Sequence, residues 1–357
     1  MIIAVDGNEA NVQNRLGVGE YAFQVITHLH QLNHHHHFII YLKSSPLPDL
    51  PKATQNWRYQ VFGPKKLWTK IALPFHLFKS SPKPHIFYTP GHYTPPLSPC
   101  PLVPTIHDLG YLNSPEQFTK KDFHQLKYWT ASSIKNARHL FTVSKFSQKE
   151  IEKIYHVPSA KITVAPNGVG DPPSKLPPPL VRPPYFLSVG TLKPNKNIPF
   201  LITAFAKFNS KYSNYKLVIA GQKGWLYDEI FNQVKNLNLQ DRVIFTGFVS
   251  DAQKWSLYCS ATALLIPSLY EGFGRPAIEA MKAKCPVIGS SIPPLKEVIA
   301  KAGLFIDPKK VDTLVLAMEE ITKPAIAKKY SSLGPPQANK YTWAKSAMTI
   351  LNTLNRL

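Results

Sequence analysis

Cysteine is scarce: Cys100, Cys259 and Cys285 are the only three in 357 residues. They are odd in number and scattered, without the spacing of a disulfide framework or a metal-ligand set. They read as free thiols of a reducing compartment. Long apolar runs are missing as well. No stretch approaches the ~20 apolar residues that a bilayer-spanning helix needs. No charged-then-apolar leader is visible, and the opening MIIAVDG reads as a first strand. The expectation is a cytoplasmic protein. Acidic side chains are few: 21 Asp and Glu stand against 42 Lys and Arg, a formal net charge of +21. Such a field draws polyanions, whether nucleic acid, an anionic membrane surface or phosphorylated small molecules, and does not choose among them. A generally basic proteome would produce it too. With 44% hydrophobic and 11% aromatic residues, global disorder is excluded and the length allows two buried cores.

What the chain does have is rhythm. Apolar runs at 2–6, 38–42, 58–62, 85–89, 101–107, 139–144 and 161–165 alternate with helical patterns, clearest at 19–32, 119–135 and 145–155. The habit repeats at 185–190, 216–221, 243–247, 262–267, 286–289 and 303–307. Strands separated by amphipathic helices predict an α/β chain with two doubly wound, Rossmann-like parallel sheets. Between the halves, seven of the fourteen residues in DPPSKLPPPLVRPP (171–184) are proline, which excludes a helix or central strand. The expected division is an N-terminal domain 1–170, a stiff linker 171–184, a C-terminal domain 185–335 and a final segment 336–357 whose helix packs back across the domains. Ligands of parallel sheets sit beyond the carboxyl ends of the strands, so a cleft between the domains is the expected site.

Five stretches carry candidate chemistry. In LYEGFGRPAIEA (269–280), Glu271 and Glu279 lie eight positions apart around a glycine turn. Pro276 suits the first turn of a helix, which predicts a start near Arg275 with Glu279 one turn in. The amides of Gly272, Phe273 and Gly274, together with the positive helix end, then favour an anion. A glycine turn capping a helix beside a solvated Glu279 is the plain alternative. A glycosidase carboxylate pair is the chemical one, poorer because amides and a helix end suit an anion better than a neutral glycan. In SVGTLKPNKNIPF (188–200), a strand ends at Gly190, and Lys193 and Lys196 stand on the loop into the next helix. That is a phosphate-binding arrangement without a metal, or else an ordinary basic loop. His107 and Asp108 fall at the end of a strand, where His107 either bonds a donor or polarises a leaving group, or is simply structural. GVGEYA (17–22) matches the G-x-G-x-x-A form, but ten residues part it from strand 2–6 and no ribose-binding acid follows. Gly17 and Gly19 fit a loop lining a phosphate or sugar, or a bare helix-entry turn. PKKLWTKIALPFHLFK (64–79) interleaves lysines with Leu, Trp, Ile and Phe. It reads either as a helix covering the first sheet or as a segment lying on an anionic membrane. The histidine run at 33–38 reads as a surface loop.

EGFGRPAIEAMKAKCPVIGSS, GTLKPNKN and the run 144–169 together resemble the family 4 retaining glycosyltransferases of the GT-B fold, over the chain from GVGEYA to YTWAKSA. That resemblance implies transfer of a sugar, mannose in the GTL-x-P-x-KN subgroups, from a GDP- or UDP-linked donor to a glycan or lipid-linked hydroxyl. It implies no cofactor and no metal. Glu271, Phe273 and Gly274 would meet the donor sugar, Glu279 the ribose, and Lys196 the diphosphate. His107 would lie beside the sugar, Gly17 or Gly19 near the phosphates, and Phe248 of GFVS along the base. The arginine that many members place after the strand-ending glycine is Thr191 here, and the arginine that others place before the lysine is Asn195. Lys193 or Arg275 is then the second diphosphate cation. The rival readings are a sugar-nucleotide epimerase on the same scaffold and a basic nucleic-acid-binding protein, which lacks any recognised reading module. No nucleic-acid partner is expected, and peripheral contact with an anionic membrane is left as an alternative to the sheet-covering helix.

Overall fold

The apolar runs form thirteen strands in the computed structural model, which describes residues 1–32, 35–113, 115, 119–222 and 228–357. Of the histidine run, residues 33–34 lie outside the described residues. The chain divides into two units, one of residues 1–167 with 343–357 and one of 168–342.

The first unit carries β1 (Ile2–Asp6), β2 (His37–Leu42), β3 (Trp57–Val61), β4 (Ile86–Thr89), β5 (Leu102–Ile106), β6 (Leu140–Thr142) and β7 (Ile162–Val164). Their order is β3-β2-β1-β4-β5-β6-β7, and every ladder is parallel. Strands buried on both faces need apolar residues at every position. IFYT of β4 and LVPTI of β5 are accordingly buried throughout, whereas the edge strand β3 buries little beyond Trp57. Chain order reverses between β1 and β4, the place where a parallel sheet opens a crevice at its carboxyl edge. The helix Trp343–Leu354 packs on the helix Val18–Leu32 of this unit, with Trp343 edge-on to Tyr21.

The lysine-rich stretch at 64–79 does two things at once. Its helix Ala72–Lys79 buries Ala72, Leu73 and Leu77, with Trp68, against Ala4, Ile39, Tyr41 and Phe87 of the sheet. Its other side leaves Leu67, Ile71, Phe75 and Phe78 at least half exposed.

The second unit repeats the plan with β8 (Tyr185–Val189), β9 (Lys216–Ala220), β10 (Val243–Gly247), β11 (Ala263–Ile266), β12 (Val287–Ser290) and β13 (Gly303–Ile306). The order is β10-β9-β8-β11-β12-β13, again all parallel, with the reversal between β8 and β11. Helices Ile198–Asn209 and Val311–Ile321 bury Leu201, Phe205, Phe208, Leu314 and Met318 with the sheet residues Phe186, Leu217, Leu265 and Ile288. Burial of each such side chain contributes about 1.5–3 kcal/mol. The proline-rich 171–184 has neither helix nor strand. It is fastened along this unit by the Asp171–Lys282 ion pair (2.7 Å) and by Ser256 Oγ donating to the Pro177 carbonyl (2.7 Å). Among the described residues, no helix is long and apolar enough to cross a membrane.

Candidate functional site

In the second unit, the loops after β8 and β11 meet at the reversal point. β8 ends at Val189, and Gly190 follows with a φ of +149° that is uncongenial to a side chain; a Cβ there would also sit 3.3 Å from Lys196 Cε. The chain then turns through Lys193 and the short 3₁₀ turn Pro194–Lys196 into the helix Ile198–Asn209. Asn197, left-handed at φ 56°, caps the entry. Its Nδ2 donates to the carbonyls of Pro267 (3.2 Å) and Pro308 (2.9 Å), tying this loop to those after β11 and β13. Asn195 stitches the same loops, accepting from the Leu269 amide at 2.9 Å and donating to the Tyr270 carbonyl at 3.2 Å. These ties place Lys196 Nζ 2.6 Å from Glu271 Oε1, which also accepts from Ser268 Oγ at 2.7 Å. Lys196 and Glu271, 75 residues apart in sequence, are therefore one ion pair at the carboxyl edge of the sheet.

The helix expected near Arg275 spans Arg275–Lys282, with Gly274 left-handed (φ 97°) before it and Pro276 in its first turn. Its N-terminal amides concentrate positive potential beside Glu271. Phe273 is buried edge-on against Tyr341, so its ring is a packing anchor and its backbone alone can serve a ligand. Glu279 is buried and triply held. Its Oε1 meets Lys254 Nζ and Arg275 Nε, both at 3.1 Å, and Oε2 accepts from Tyr258 Oη at 3.0 Å. Burial works against the Lys254 ammonium, but Glu279 and Asp251 outweigh it and hold its pKa above the ordinary value. Burial, reinforced by Glu279, raises the Tyr258 phenol well above its usual range and keeps it a donor. Arg275 Nη1 is buried without a hydrogen-bond partner. Phe248, after β10, is half exposed and free to stack. The arrangement offers paired cations, helix amides and two carboxylates, a set suited to an anion flanked by hydroxyl-bearing groups.

The first unit holds its titratable groups differently. His107, after β5, is buried, and burial lowers its pKa to about 4. Its Nε2–H donates to the Pro90 carbonyl at 2.8 Å, so the neutral ring offers Nδ1 as an acceptor. That argues against polarising a leaving group and for receiving a hydroxyl hydrogen bond. His92 stacks on His107 at 5.5 Å and accepts the His107 amide on Nε2 at 3.2 Å. Burial, then the neighbouring His107, lowers the His92 pKa to about 3. Asp6, ending β1, is raised to about 6 by burial, against the bonds it accepts from Asn8. Gly17 takes the left-handed conformation (φ 49°) immediately before the helix Val18–Leu32, with open space where a Cβ would stand. At Gly19 a Cβ would lie 3.0 Å from the Glu9 carbonyl.

Sequence reasoning missed Lys254, Tyr258, Ser268, His92 and Asp6. The first two sit in SDAQKWSLY, where the Ser250 and Gln253 capping box signals a helix start but nothing marks a partner for Glu279. Asp6 had a usable signal, a carboxylate ending a strand. Among the described residues, no group of three His, Cys, Asp or Glu is placed to hold a metal ion.

Two family models match in succession, Glycosyltransferase Family 4 over residues 16–171 and Glycosyl transferases group 1 over 177–334. The chain belongs to the family 4 glycosyltransferases. The O-antigen chain mannosyltransferase B of Escherichia coli is 28% identical over 287 residues, 77% of this chain and 75% of its own. The O-antigen chain mannosyltransferase RfbU of Salmonella typhimurium is 34% identical over 217 residues, 61% of this chain and 59% of its own. Among solved structures, the sucrose-phosphate synthase of Thermosynechococcus elongatus superposes with a TM-score of 0.75 at 20% identity, over 99% of this chain and 98% of that one. Anabaena HepE in complex with UDP and glucose gives 0.75 at 17% identity, over 100% and 99%. These likenesses assign this glycosyltransferase the GT-B fold.

Proposed function

We propose that this glycosyltransferase moves mannose from a GDP- or UDP-linked donor to a hydroxyl of a glycan or lipid-linked acceptor, with retention at the anomeric carbon. The observation that carries the reading is the meeting of Lys196, Glu271 and the N-terminus of helix Arg275–Lys282 at the reversal point of the second sheet. The mannosyltransferase relatives support the choice of sugar. Lys196 and the helix amides take the diphosphate, with Arg275 as second cation, since its Nη1 has no partner while Nε serves Glu279. Lys193 is the alternative second cation. Glu279 receives the ribose hydroxyls and Phe248 faces the base. Glu271 and the Gly272–Gly274 backbone meet the sugar, His107 accepts from one of its hydroxyls, and Gly17, Gly19 and Gly190 leave room for the phosphates.

The chemistry follows from charge. The bond from the anomeric carbon to the diphosphate oxygen breaks, the acceptor oxygen bonds the same face of that carbon, and its proton passes to the departing diphosphate. Fixed cations and a helix end stabilise the charge that develops on the leaving group, without a cofactor or metal. The proposed setting is cytoplasmic. A peripheral contact with anionic membrane is supported by the exposed Leu67, Ile71, Phe75 and Phe78 beside the lysines of 64–79.

A thermal-shift panel of GDP, UDP and their sugars tests the reading, because a ligand of the folded state raises apparent stability by mass action. At least one nucleotide should raise Tm, Glu279→Ala should abolish that shift, and Glu271→Ala should keep nucleotide binding while losing transfer. Equal loss of both in Glu271→Ala, or turnover strictly requiring a divalent ion, would contradict it.

A further inference from the structure

The first sheet has its own reversal point, between β1 and β4, and a cavity of about 210 Å³ opens there. It is the position at which parallel sheets hold ligands. Groups of several kinds line it. Asp6 and Glu9 supply carboxylates at the end of β1, with Asn8 fastening Asp6 through Nδ2 at 2.7 Å. Trp129 and Tyr93 supply an aromatic wall, their rings edge-to-face at 5.4 Å. Lys65 and Lys70 arrive from the segment before the helix Ala72–Lys79.

Two features ask for a ligand. His92 also lines the cavity. Its Nε2 accepts the His107 amide and the ring is neutral, so the proton sits on Nδ1, and that buried N–H has no partner. A buried donor left unmet costs about 1–3 kcal/mol. Lys70 places its ammonium 4.6 Å from the centre of the Trp129 ring, and no ion pair joins Lys65 or Lys70 to a carboxylate among the described residues. Burial alone lowers the Lys70 pKa, as for a cation partly stripped of water with no anion beside it. A neutral glycan would satisfy the carboxylates, His92 and the aromatic wall but would leave the lysines as they are.

We propose that this cavity receives the acceptor as a saccharide phosphate, its hydroxyls on Asp6, Glu9 and His92, its ring against Trp129 and its phosphoryl oxygens on Lys65 and Lys70. The proposal rests on the transferase reading and narrows its acceptor to an anionic one. A free sugar phosphate and a lipid-linked one present the same chemistry. The exposed Ile71, Phe75 and Phe78 along the same segment would add contacts for a lipid chain only.

The test is calorimetric titration of the full chain in saturating GDP and UDP, so that the second unit is occupied. The probes are mannose, mannose 1-phosphate and citronellyl mannosyl phosphate. Charge-assisted hydrogen bonds predict a preference of about 10–100-fold for the phosphorylated sugars over mannose. Lys70→Gln and the exposed-site variant Lys65→Gln should each cut that preference, and the pair should bring it to within about twofold, while the nucleotide thermal shift is unchanged. A tighter fit of the citronellyl probe assigns a lipid carrier, and equal affinity a free sugar phosphate. Equal binding of mannose and mannose 1-phosphate, or a preference that survives the double substitution, overturns the proposal. Loss of the nucleotide shift in the wild-type chain would instead strike the transferase reading and leave the titration interpretable.

Discussion

The two units share a topology and treat charge in opposite ways. At the reversal point of the second sheet every carboxylate is matched: Glu271 by Lys196, and Glu279 by Lys254, Arg275 and Tyr258. At the corresponding point of the first sheet, burial pushes Asp6, His92 and His107 toward their neutral forms, and among the described residues no ion pair holds them charged. In the proposed reading, a region that grips charge with charge takes the diphosphate, whose leaving charge must be met at once. In the same reading, the first region sets carboxylates and neutral imidazoles for hydroxyls beside Lys65 and Lys70 for a phosphoryl group, a mixed lining that the second region does not have. The same fold thus supplies two chemistries through the residues at its loop ends.

Substitutions of opposite sign would break this comparison most cleanly. Glu279→Ala strands Lys254 and Arg275 around an empty carboxylate site and should destabilise by about 3–5 kcal/mol, read by chemical denaturation at pH 7. A change below about 1 kcal/mol would show that the cluster is not a buried ionic network. Lys196→Gln should lower kcat by about 10²–10³-fold while leaving the fold intact, as removal of a donor to developing charge does; unchanged kcat would remove Lys196 from the chemistry.

Asp6→Asn should stabilise. A carboxyl whose folded pKa lies near 6, above its ordinary 3.8, costs nothing below about pH 4 and its full penalty above about pH 6. That displacement amounts to roughly 3 kcal/mol. The variant should therefore gain up to that much at pH 7 and lose the advantage as pH falls through 6 toward 4. A gain independent of pH would contradict the burial argument. Gly190→Ala should cost about 1 kcal/mol, read as a lowered Tm, because φ +149° and the nearby Lys196 Cε leave little room for a methyl.

Much of this was legible in the chain itself. The run 2–6 is β1 to the residue, 243–247 is β10, and the helix start near Arg275 followed from Pro276 and the glycines before it. Lys196 and Glu271 were each visible as candidates, but not as partners: their pairing depends on Asn195 and Asn197 binding carbonyls some 70 residues away. Lys254 had no local signal for the same reason. The lysine-rich 64–79 reads from sequence as either sheet cover or membrane surface, because periodicity reports how apolar residues are spaced and not how many faces find a partner. The helix there buries Leu73 and Leu77 and exposes Phe75 and Phe78. His92 carries no signal in the sequence, since its importance lies in a tautomer fixed by the His107 amide.

The most direct measurement is a crystal structure of the chain with GDP-mannose or its GDP product. The account predicts diphosphate oxygens within hydrogen-bonding distance of Lys196 Nζ and the first amides of helix Arg275–Lys282, with the ribose on Glu279. A nucleotide seated instead in the cavity beside Asp6 and Lys70, with the Lys196–Glu271 pair undisturbed and unapproached, would contradict it.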